Sequence, residues 1–512
     1  MKIKYAGFAA IFAMLLPFMA SCSPAEDYEV LRVYNCEDYI YETDLETGEL
    51  GLVDSFVEMM REVYGRKVRV VYDKYDTNES MLSQVKTGKV KYDLICPSDY
   101  TIQKMIAEDL IIPFEDEYGK STTKVYDEYA SKFLLNKLDG IDVKKYSNDK
   151  IEVLEKQLNR YARGYMWGYM WGTTGILYNP AYDPDITADF TESYSMLWNE
   201  KYYNAISVKD SMRETFAVGI FKTFETEFKE YKQQYEDGVI SADEYNKKLS
   251  TIFNSSDKET LDKVSKELLE LKNNIFGFEV DSGKQDIQQG KIAINIAWSG
   301  DATYAMDTAL EETGTILKYI LPSIGANIWF DGWVMPKGAN VELASMFVDY
   351  LSLPQNATLN MEAIGYTPFI ACEEIFDTIV DWYGSDEEEI AANPEDFYEK
   401  DLSYFFKRDE NDETDYSLLI HNDLRGTQID TQYPDEEQLP SLLIMDDFGP
   451  NTKNLLNMWE VVKNTAMPAY FYYIILASVL VVAGLIIARV VIRHKKRKDR
   501  VARIKARYAV KK

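Results

Sequence analysis

Histidine and cysteine are scarce in this chain. Its 512 residues include only 2 histidines, His421 and His494, and 4 cysteines, none of them in a CxxC pair. Metal sites built from histidine or paired cysteine, and catalysis driven by histidine, are therefore poorly supplied. The GxSxG, HExxH and P-loop motifs are also missing from the sequence. Nothing in the sequence indicates a catalytic residue, a metal site or a cofactor.

Basic residues are scarce everywhere except at the C-terminus. The chain has 56 Lys and Arg against 85 Asp and Glu, a formal net charge of −29. Residues 493–512 alone contain eleven Lys or Arg and one Asp, so the rest is strongly acidic. An acidic body argues against nucleic acid as a partner and attracts cations. Most of these carboxylates are nevertheless expected to form an ordinary solvated surface.

The N-terminus has the pattern of an export signal. Lys2 and Lys4 precede an apolar run at 9–20, and Ala20 and Ser21 lead into Cys22. A basic start, a short apolar stretch and small residues at the end are typical of a signal peptide, here 1–22. The end resembles a bacterial lipobox, which implies lipidation of Cys22. Simple cleavage nearby is the alternative.

The C-terminus has the pattern of a membrane anchor. Residues 466–488 contain no charge and begin with an aromatic group at 470–473. That length spans a hydrocarbon core of about 30 Å, and the basic residues that follow favour a cytoplasmic tail. We predict a transmembrane helix at 466–492, a cytoplasmic tail at 493–512 and a body held at the outer face of the cell membrane. A buried core helix is the alternative.

The first part of the body alternates strands and helices. Apolar strands are predicted at 31–36, 68–71 and 92–96, with helices between them that end near Gly65 and Gly88, the second capped by Asn78. This βαβ series predicts a parallel sheet, whose ligands bind beyond the C-terminal strand ends. Residues 36–39 and 98–100 would share that rim. In a sheet of order 2-1-3, Cys36 and Cys96 would lie on neighbouring strands, so a disulfide between them is possible but two buried thiols are the simpler expectation.

Two segments differ from the rest of the body. Residues 219–275 are predicted to be helical, with capping boxes from Ser241 and Ser256 and a buried stripe of Leu261, Val264, Leu268 and Leu271. Residues 384–439 contain the acidic runs 386–389 and 409–413. We predict that this second segment is a surface elaboration, partly mobile.

Short motifs spread along the chain resemble the periplasmic spermidine/putrescine-binding protein family. They are YNxxDY at 34–39, YxxNExM at 75–81, YDL at 92–94 with PSxY at 97–100, YxWG at 169–172, DxxRExF at 210–216, AWSG at 297–300, IWxD at 328–331 and IGYxP at 364–368. Each is weak alone, but all of them occur in the family's order. The match runs along most of 31–375 and weakly to 463.

The resemblance implies an α/β fold of two lobes, like type II periplasmic binding proteins, with the ligand between them. One lobe would comprise 30–162 and 327–375, and the other 163–326 and 376–463. The helical insertion 219–275, the acidic elaboration 384–439 and the C-terminal transmembrane helix are additions to this plan.

The ligand implied by the resemblance is a polyamine, and the matched residues suit one. Aromatic faces bury methylenes and attract cations, while carboxylates pair with desolvated ammonium groups. By the resemblance, Asp331 and Glu214 hold amines. The further predicted ligand-binding residues are Asp38, Tyr39, Ser98, Tyr100, Trp298, Trp329 and Tyr366. Cys36 stands where the family often has tryptophan, and Ser211 where a second acid is common, so the choice between putrescine and spermidine stays open.

The function implied is capture of a polyamine for the permease and ATPase of an ABC importer, without chemistry on the ligand. A sensor, or a binding protein for another cationic solute, is the alternative. A glycosidase is much less favoured, because chance alone supplies carboxylate pairs among 85 acidic residues.

Overall fold

The computed structural model describes residues 28–114, 120–141 and 162–464. The predicted signal peptide with Cys22, the predicted transmembrane helix 466–492 and the tail 493–512 lie outside these ranges. Within them, no helix has the length and apolar character needed to cross a membrane. The chain divides into two compact units, Met1–Leu455 and Leu456–Lys512. The description below concerns the first unit, and the described part of the second consists of the end of the last helix, 456–463, and Asn464.

The strands of the structure are mostly short, with three long exceptions near the site. They are β1 (Glu29–Cys36), β2 (Val68–Tyr75), β3 (Leu94–Ile95), β4 (Ile111–Ile112), β5 (Trp167–Tyr178), β6 (Ile206–Lys209), β7 (Gly277–Glu279), β8 (Ile294–Trp298), β9 (Lys318–Ile320), β10 (Ala326–Trp333), β11 (Met335–Pro336), β12 (Thr367–Pro368), β13 (Phe397–Asp401), β14 (Ser417–His421) and β15 (Leu442–Leu443).

Helices connect the strands and cover the sheets. They are α1 (Leu52–Glu62), α2 (Asn78–Thr87), α3 (Asp99–Ala107), α4 (Val125–Tyr129), α5 (Lys132–Asp139), α6 (Ile186–Thr191), α7 (Met212–Thr223), α8 (Glu225–Glu236), α9 (Ala242–Phe253), α10 (Lys258–Lys272), α11 (Gly283–Gln288), α12 (Ser299–Thr313), α13 (Val341–Leu351), α14 (Pro354–Ile364), α15 (Glu373–Tyr383), α16 (Glu387–Ala392), α17 (Ser403–Phe406), α18 (Gln428–Gln432) and α19 (Thr452–Lys463). Short 3₁₀ turns occur at Ala162–Gly164, Ser195–Trp198, Glu200–Tyr202, Pro394–Asp396, Asn422–Leu424, Glu436–Ser441 and Gly449–Asn451.

The first sheet has the strand order predicted from the βαβ series. Strand β1 lies between β2 and β3 and is parallel to both. Its apolar residues are buried because the crossover helices cover the sheet, as right-handed βαβ connections require. The prediction that Asn78 caps α2 was wrong: Thr77 accepts the capping bond from the Ser80 amide. Asn78 is thereby free to turn its amide toward the rim of the sheet.

The second sheet is mixed and is organised around the antiparallel pair β5 and β10. Its order is β15-β10-β5-β8-β6-β7, with β9 and β12 also pairing with β5. Every residue of β5 is buried, which explains its unbroken apolar and small residues. Two isolated bridges connect this part of the chain to the first sheet and its rim: Val334, just after β10, pairs with Ile95 of β3, and Asp331 of β10 pairs with Ser98, just before α3. These bridges bring the ends of the two sheets to one place.

The helical prediction for 219–275 is confirmed in outline. Helices α7 to α10 occupy this part of the chain, and the stripe Leu261, Val264, Leu268 and Leu271 is buried. Ser241 caps α9 as predicted, accepting from the Glu244 amide. Ser256 does not cap α10. Asp257 does, accepting from the Glu259 and Thr260 amides, because the helix begins one residue later.

The acidic segment 384–439 contributes to the core as well as to the surface. Its acidic run 386–389 is exposed. Its strands β13 and β14 pair as an antiparallel hairpin. Phe405, Phe406 and Tyr433 are buried. Phe405 stacks on Trp171 of β5, with 5.6 Å between the ring centroids. The prediction of a surface elaboration was therefore incomplete, because charge runs hid the aromatic residues that anchor the segment.

Cysteines Cys36, Cys96 and Cys372 are free. Cys36 and Cys96 do end neighbouring strands, but no disulfide joins them. Burial and the charge of Asp331 raise the pKa of the Cys36 thiol to about 12, so it stays protonated near neutral pH. The rim of the sheet thus carries two neutral thiols.

Candidate functional site

Asp331 lies where the two sheets meet. Tyr39, which follows β1, donates its hydroxyl to Asp331 Oδ2 at 2.7 Å. Ser98, just before α3, forms an isolated β-bridge with the backbone of Asp331. Its side chain also hydrogen-bonds the Asp331 carboxylate. Burial raises the pKa of Asp331, whereas these two hydrogen bonds lower it and offset part of the rise. No described Lys or Arg contributes to the shift. The result is a desolvated carboxylate that is anchored by hydroxyl groups alone.

A second buried carboxyl, Asp99, lies beside Asp331 but points into the backbone. It accepts the Phe330 amide at 3.2 Å and is 1% exposed. Burial and the charge of Asp331 raise the pKa of Asp99 well above its ordinary value. Asp99 therefore helps to hold β10 in place and is a poor candidate for a ligand contact.

Aromatic rings form one wall next to Asp331. Tyr39 and Tyr366 meet edge to face at 5.0 Å between ring centroids, and Tyr366 lies 5.7 Å from Trp329. Close approach requires glycine here: a Cβ on Gly300 would overlap the Tyr366 ring, and one on Gly172 would overlap Trp329. The structure therefore groups Tyr39, Trp329 and Tyr366, as the sequence predicted.

Glu214 lies in the first turn of α7. Ser211 caps this helix by accepting from the Glu214 amide at 3.4 Å, so the carboxylate is near the positive end of the helix dipole. Its Oε2 accepts from Thr174 Oγ1 at 3.1 Å, and the Trp298 indole also donates to it. Burial raises the pKa of Glu214, while these two hydrogen bonds and the charges of Lys209 and Arg213 oppose the shift. Glu214 and Trp298 are thus joined directly.

A buried ion cluster, not predicted from the sequence, lies against Trp298. Lys209 Nζ is 3.0 Å from Asp301 Oδ2 and 3.2 Å from Glu279 Oε1. It also stands 4.2 Å from the centre of the Trp298 ring. Tyr366 donates its hydroxyl to Asp301 Oδ1 at 2.9 Å, which joins this cluster to the aromatic wall. One signal was available, because Asp301 directly follows the AWSG motif.

Tyr100 is at the rim but one of its faces is already covered. The Arg213 guanidinium lies 4.0 Å above its ring. Arg213 also donates to the Asp446 carbonyl at 3.0 Å and is 3.5 Å from Asp447 Oδ1. Asn78 donates to the Tyr100 hydroxyl at 3.1 Å and to Ser98 Oγ at 3.0 Å. A ligand would have to use the other face or the edge of Tyr100.

Asp38 is the predicted site residue that the structure leaves apart. Its side chain is exposed, and its backbone has φ of 49°, a left-handed turn that Asp tolerates. The turn carries Tyr39 inward to Asp331 and leaves Asp38 outside. Among the described residues, no group of three or more His, Cys, Asp or Glu side chains could hold a metal ion.

Comparison with known proteins connects this arrangement to one family. The sequence profile described as "Bacterial extracellular solute-binding protein" matches residues 52–373. A spermidine/putrescine-binding periplasmic protein of Salmonella typhimurium is 25% identical over 361 residues, which is 69% of this chain and 82% of that protein. A putrescine-binding periplasmic protein of Pseudomonas aeruginosa is 25% identical over 351 residues, which is 66% of this chain and 77% of that protein.

Two solved structures have the same fold. The spermidine/putrescine ABC transporter substrate-binding protein PotD of Streptococcus pneumoniae aligns with a TM-score of 0.51 at 24% identity, over 85% of this chain and 100% of that one. The Tp0655 (TpPotD) lipoprotein of Treponema pallidum aligns with a TM-score of 0.51 at 17% identity, over 85% and 99%. The predicted two-lobe, periplasmic-binding-protein-like α/β fold is confirmed.

Proposed function

Because this chain belongs to the family of bacterial extracellular solute-binding proteins, we propose that it captures a polyamine outside the cytoplasm for an ABC importer. The observation that supports this most is a pair of desolvated carboxylates, the buried Glu214 and the partly exposed Asp331. Among the residues described, neither forms an ion pair with a Lys or Arg. A desolvated carboxylate without a cation is costly, so the site favours a ligand that brings its own positive charges.

The surroundings of the two carboxylates suit the rest of a polyamine. Tyr39, Trp329 and Tyr366 offer ring faces and edges near Asp331, and Trp298 lies beside Glu214. Rings of this kind cover methylene groups and attract ammonium groups, with about 0.5–2 kcal/mol for each cation–π contact. Hydroxyl donors from Tyr39, Ser98 and Thr174 keep the carboxylate oxygens oriented. Anions would find no complementary charge at these two carboxylates.

The names of relatives agree with this ligand. The Salmonella and Pseudomonas relatives are named as binding proteins for spermidine and putrescine or for putrescine. By this proposal the bound polyamine is passed to a permease powered by an ATPase. No chemical step on the ligand is part of the proposal, so the protein is not an enzyme.

The attachment to the cell membrane is a proposal that rests on sequence alone. The apolar segment 466–492 would anchor the C-terminus, the tail 493–512 would lie in the cytoplasm, and Cys22 would carry a lipid as the first residue left after the signal peptide is cleaved. The lobe boundaries 30–162 with 327–375, and 163–326 with 376–463, also remain proposals. Of the three chain crossings that they imply, two lie at or next to the paired strands β5 and β10 and the third lies within α15.

A thermal-shift panel tests the ligand class. Full-length protein is heated with putrescine, cadaverine, spermidine or spermine at millimolar concentration, and with a neutral sugar, a neutral amino acid and a dicarboxylic acid as controls. Binding to the folded state raises the melting temperature, so at least one polyamine should raise it while the controls do not. No shift with any polyamine would contradict the proposal. A shift with other organic cations alone would point instead to a different cationic solute.

A further inference from the structure

Lys209 is an unusual buried cation. It is 1% exposed, at the end of β6, in the interior of the protein. Its ammonium group contacts Asp301 Oδ2 at 3.0 Å, Glu279 Oε1 at 3.2 Å and the Val280 carbonyl at 3.2 Å. An ammonium group has three donors, and these three acceptors satisfy all of them. The group is therefore held in one fixed position.

That position is on the face of a predicted ligand-binding ring. Lys209 Nζ lies 4.2 Å from the centre of the Trp298 ring, well inside the distance for a cation–π contact. The same indole donates a hydrogen bond to Glu214. The protein's own ammonium thus occupies the place on Trp298 that a ligand ammonium would favour.

The charges around the site separate into two groups. Asp301 is balanced by Lys209 on one oxygen and by Lys284 on the other, at 3.4 Å. Burial would raise the pKa of Asp301, but the two lysines outweigh burial and lower it. Burial instead raises the pKa of Glu214 and of Asp331. Only this second pair is left for a ligand to neutralise.

We infer that Lys209 is a built-in ammonium group that fills one amine position of the cleft, so that the site prefers a diamine to a longer polyamine. This inference rests on the proposed function. Two carboxylates without a direct ion pair among the described residues, Glu214 and Asp331, match the two charges of a diamine. A third ligand ammonium would need Asp301 or Glu279, and Lys209 holds both.

The test exchanges the built-in ammonium for one brought by the ligand. Dissociation constants for putrescine and spermidine are measured by calorimetry on full-length wild-type protein and on Lys209→Met. The wild type should bind putrescine at least tenfold more tightly than spermidine. In Lys209→Met the ratio should move at least tenfold toward spermidine, because its third ammonium can replace Nζ between Asp301 and Glu279. Lys229→Met, which removes an exposed lysine, should leave the ratio unchanged.

A second variant covers the case in which Lys209→Met does not fold, since it leaves the buried Glu279 without a cation and Asp301 with Lys284 alone. Lys209→Met combined with Asp301→Asn removes the Asp301 carboxylate and keeps Glu279 to receive the third ammonium. The same shift toward spermidine is expected. If wild type prefers spermidine, or if the ratio is unchanged in whichever variant folds, the inference is wrong while the proposed function stands. If wild type binds no polyamine, both fail.

Discussion

Replacing Asp331 by Asn should abolish most polyamine binding while leaving the fold intact. The carboxylate is largely desolvated although the residue is partly exposed, accepts from Tyr39 at 2.7 Å and has no Lys or Arg partner among the described residues. Asparagine has nearly the same shape and can still accept from Tyr39 and Ser98. The substitution therefore removes the charge and little else.

The magnitude follows from desolvation. An exposed ion pair contributes about 0–1 kcal/mol, whereas removing one partner of a buried pair costs about 3–5 kcal/mol. Because the amide remains a hydrogen-bond acceptor, we expect the lower part of that range, about 3 kcal/mol. At about 1.4 kcal/mol for each factor of ten, affinity should fall on the order of 100-fold. A tenfold loss is the smallest effect compatible with the proposed site.

Calorimetric titration of putrescine into wild type, Asp331→Asn and Asp386→Asn measures the effect. Asp386 is exposed in the acidic run, so Asp386→Asn makes the same change in net charge away from the site. Its affinity should stay within about twofold of wild type. The unliganded Asp331→Asn protein should melt no earlier than wild type, since burial makes ionised Asp331 costly. Equal affinities in wild type and Asp331→Asn would refute the placement of the site.

Three further predictions concern protonation, packing and thiols. Burial raises the pKa of Glu214 and of Asp331, so the folded, unliganded protein favours the protonated form of each carboxyl. The stability of the unliganded protein should therefore fall as pH rises through these raised pKa values. The increase in melting temperature caused by the ligand should accordingly become smaller as pH falls through the same range. This decrease should be weaker in Glu214→Gln. Melting curves recorded across pH measure both effects. Gly300→Ala pushes its Cβ into the Tyr366 ring and should weaken putrescine binding at least tenfold, with Gly277→Ala, which has open space around it and no positive φ, as a binding control. Because the pKa of Cys36 is raised to about 12 and Cys96 is 1% exposed, native protein should react slowly with a thiol reagent. Unfolded protein should show the thiols of Cys36, Cys96 and Cys372, and the loss of two of them would indicate a disulfide.

Local patterns allowed the prediction of the first sheet and of the rim. The strand order β2-β1-β3 follows from a short βαβ series, whose handedness and crossover lengths leave few alternatives. That order brings Tyr39 and Ser98 together, and their meeting with Asp331 agrees with the family motifs. The buried stripe Leu261 to Leu271 follows likewise from helical spacing alone.

Contacts between distant parts of the chain could not be predicted in this way. Lys209 and Asp301 are 92 positions apart and meet only because β6 and β8 are neighbours in the second sheet. Arg213 reaches Tyr100 by the same kind of tertiary contact. The exposed position of Asp38 could not be foreseen, because a left-handed backbone turn, which the motif does not encode, decides which of two adjacent side chains faces inward.

The central claim is that two desolvated carboxylates, Glu214 and Asp331, which form no ion pair among the described residues, bind a polyamine. Equilibrium dialysis of radiolabelled putrescine against full-length wild type and the double variant Glu214→Gln/Asp331→Asn tests it most directly, at neutral pH and moderate ionic strength. The account predicts one saturable site per wild-type chain, displaced by unlabelled putrescine, and no saturable binding to a folded double variant. The claim would be contradicted if saturable binding survives in the folded double variant. It would also be contradicted if wild type shows no saturable binding of putrescine and binds no longer polyamine.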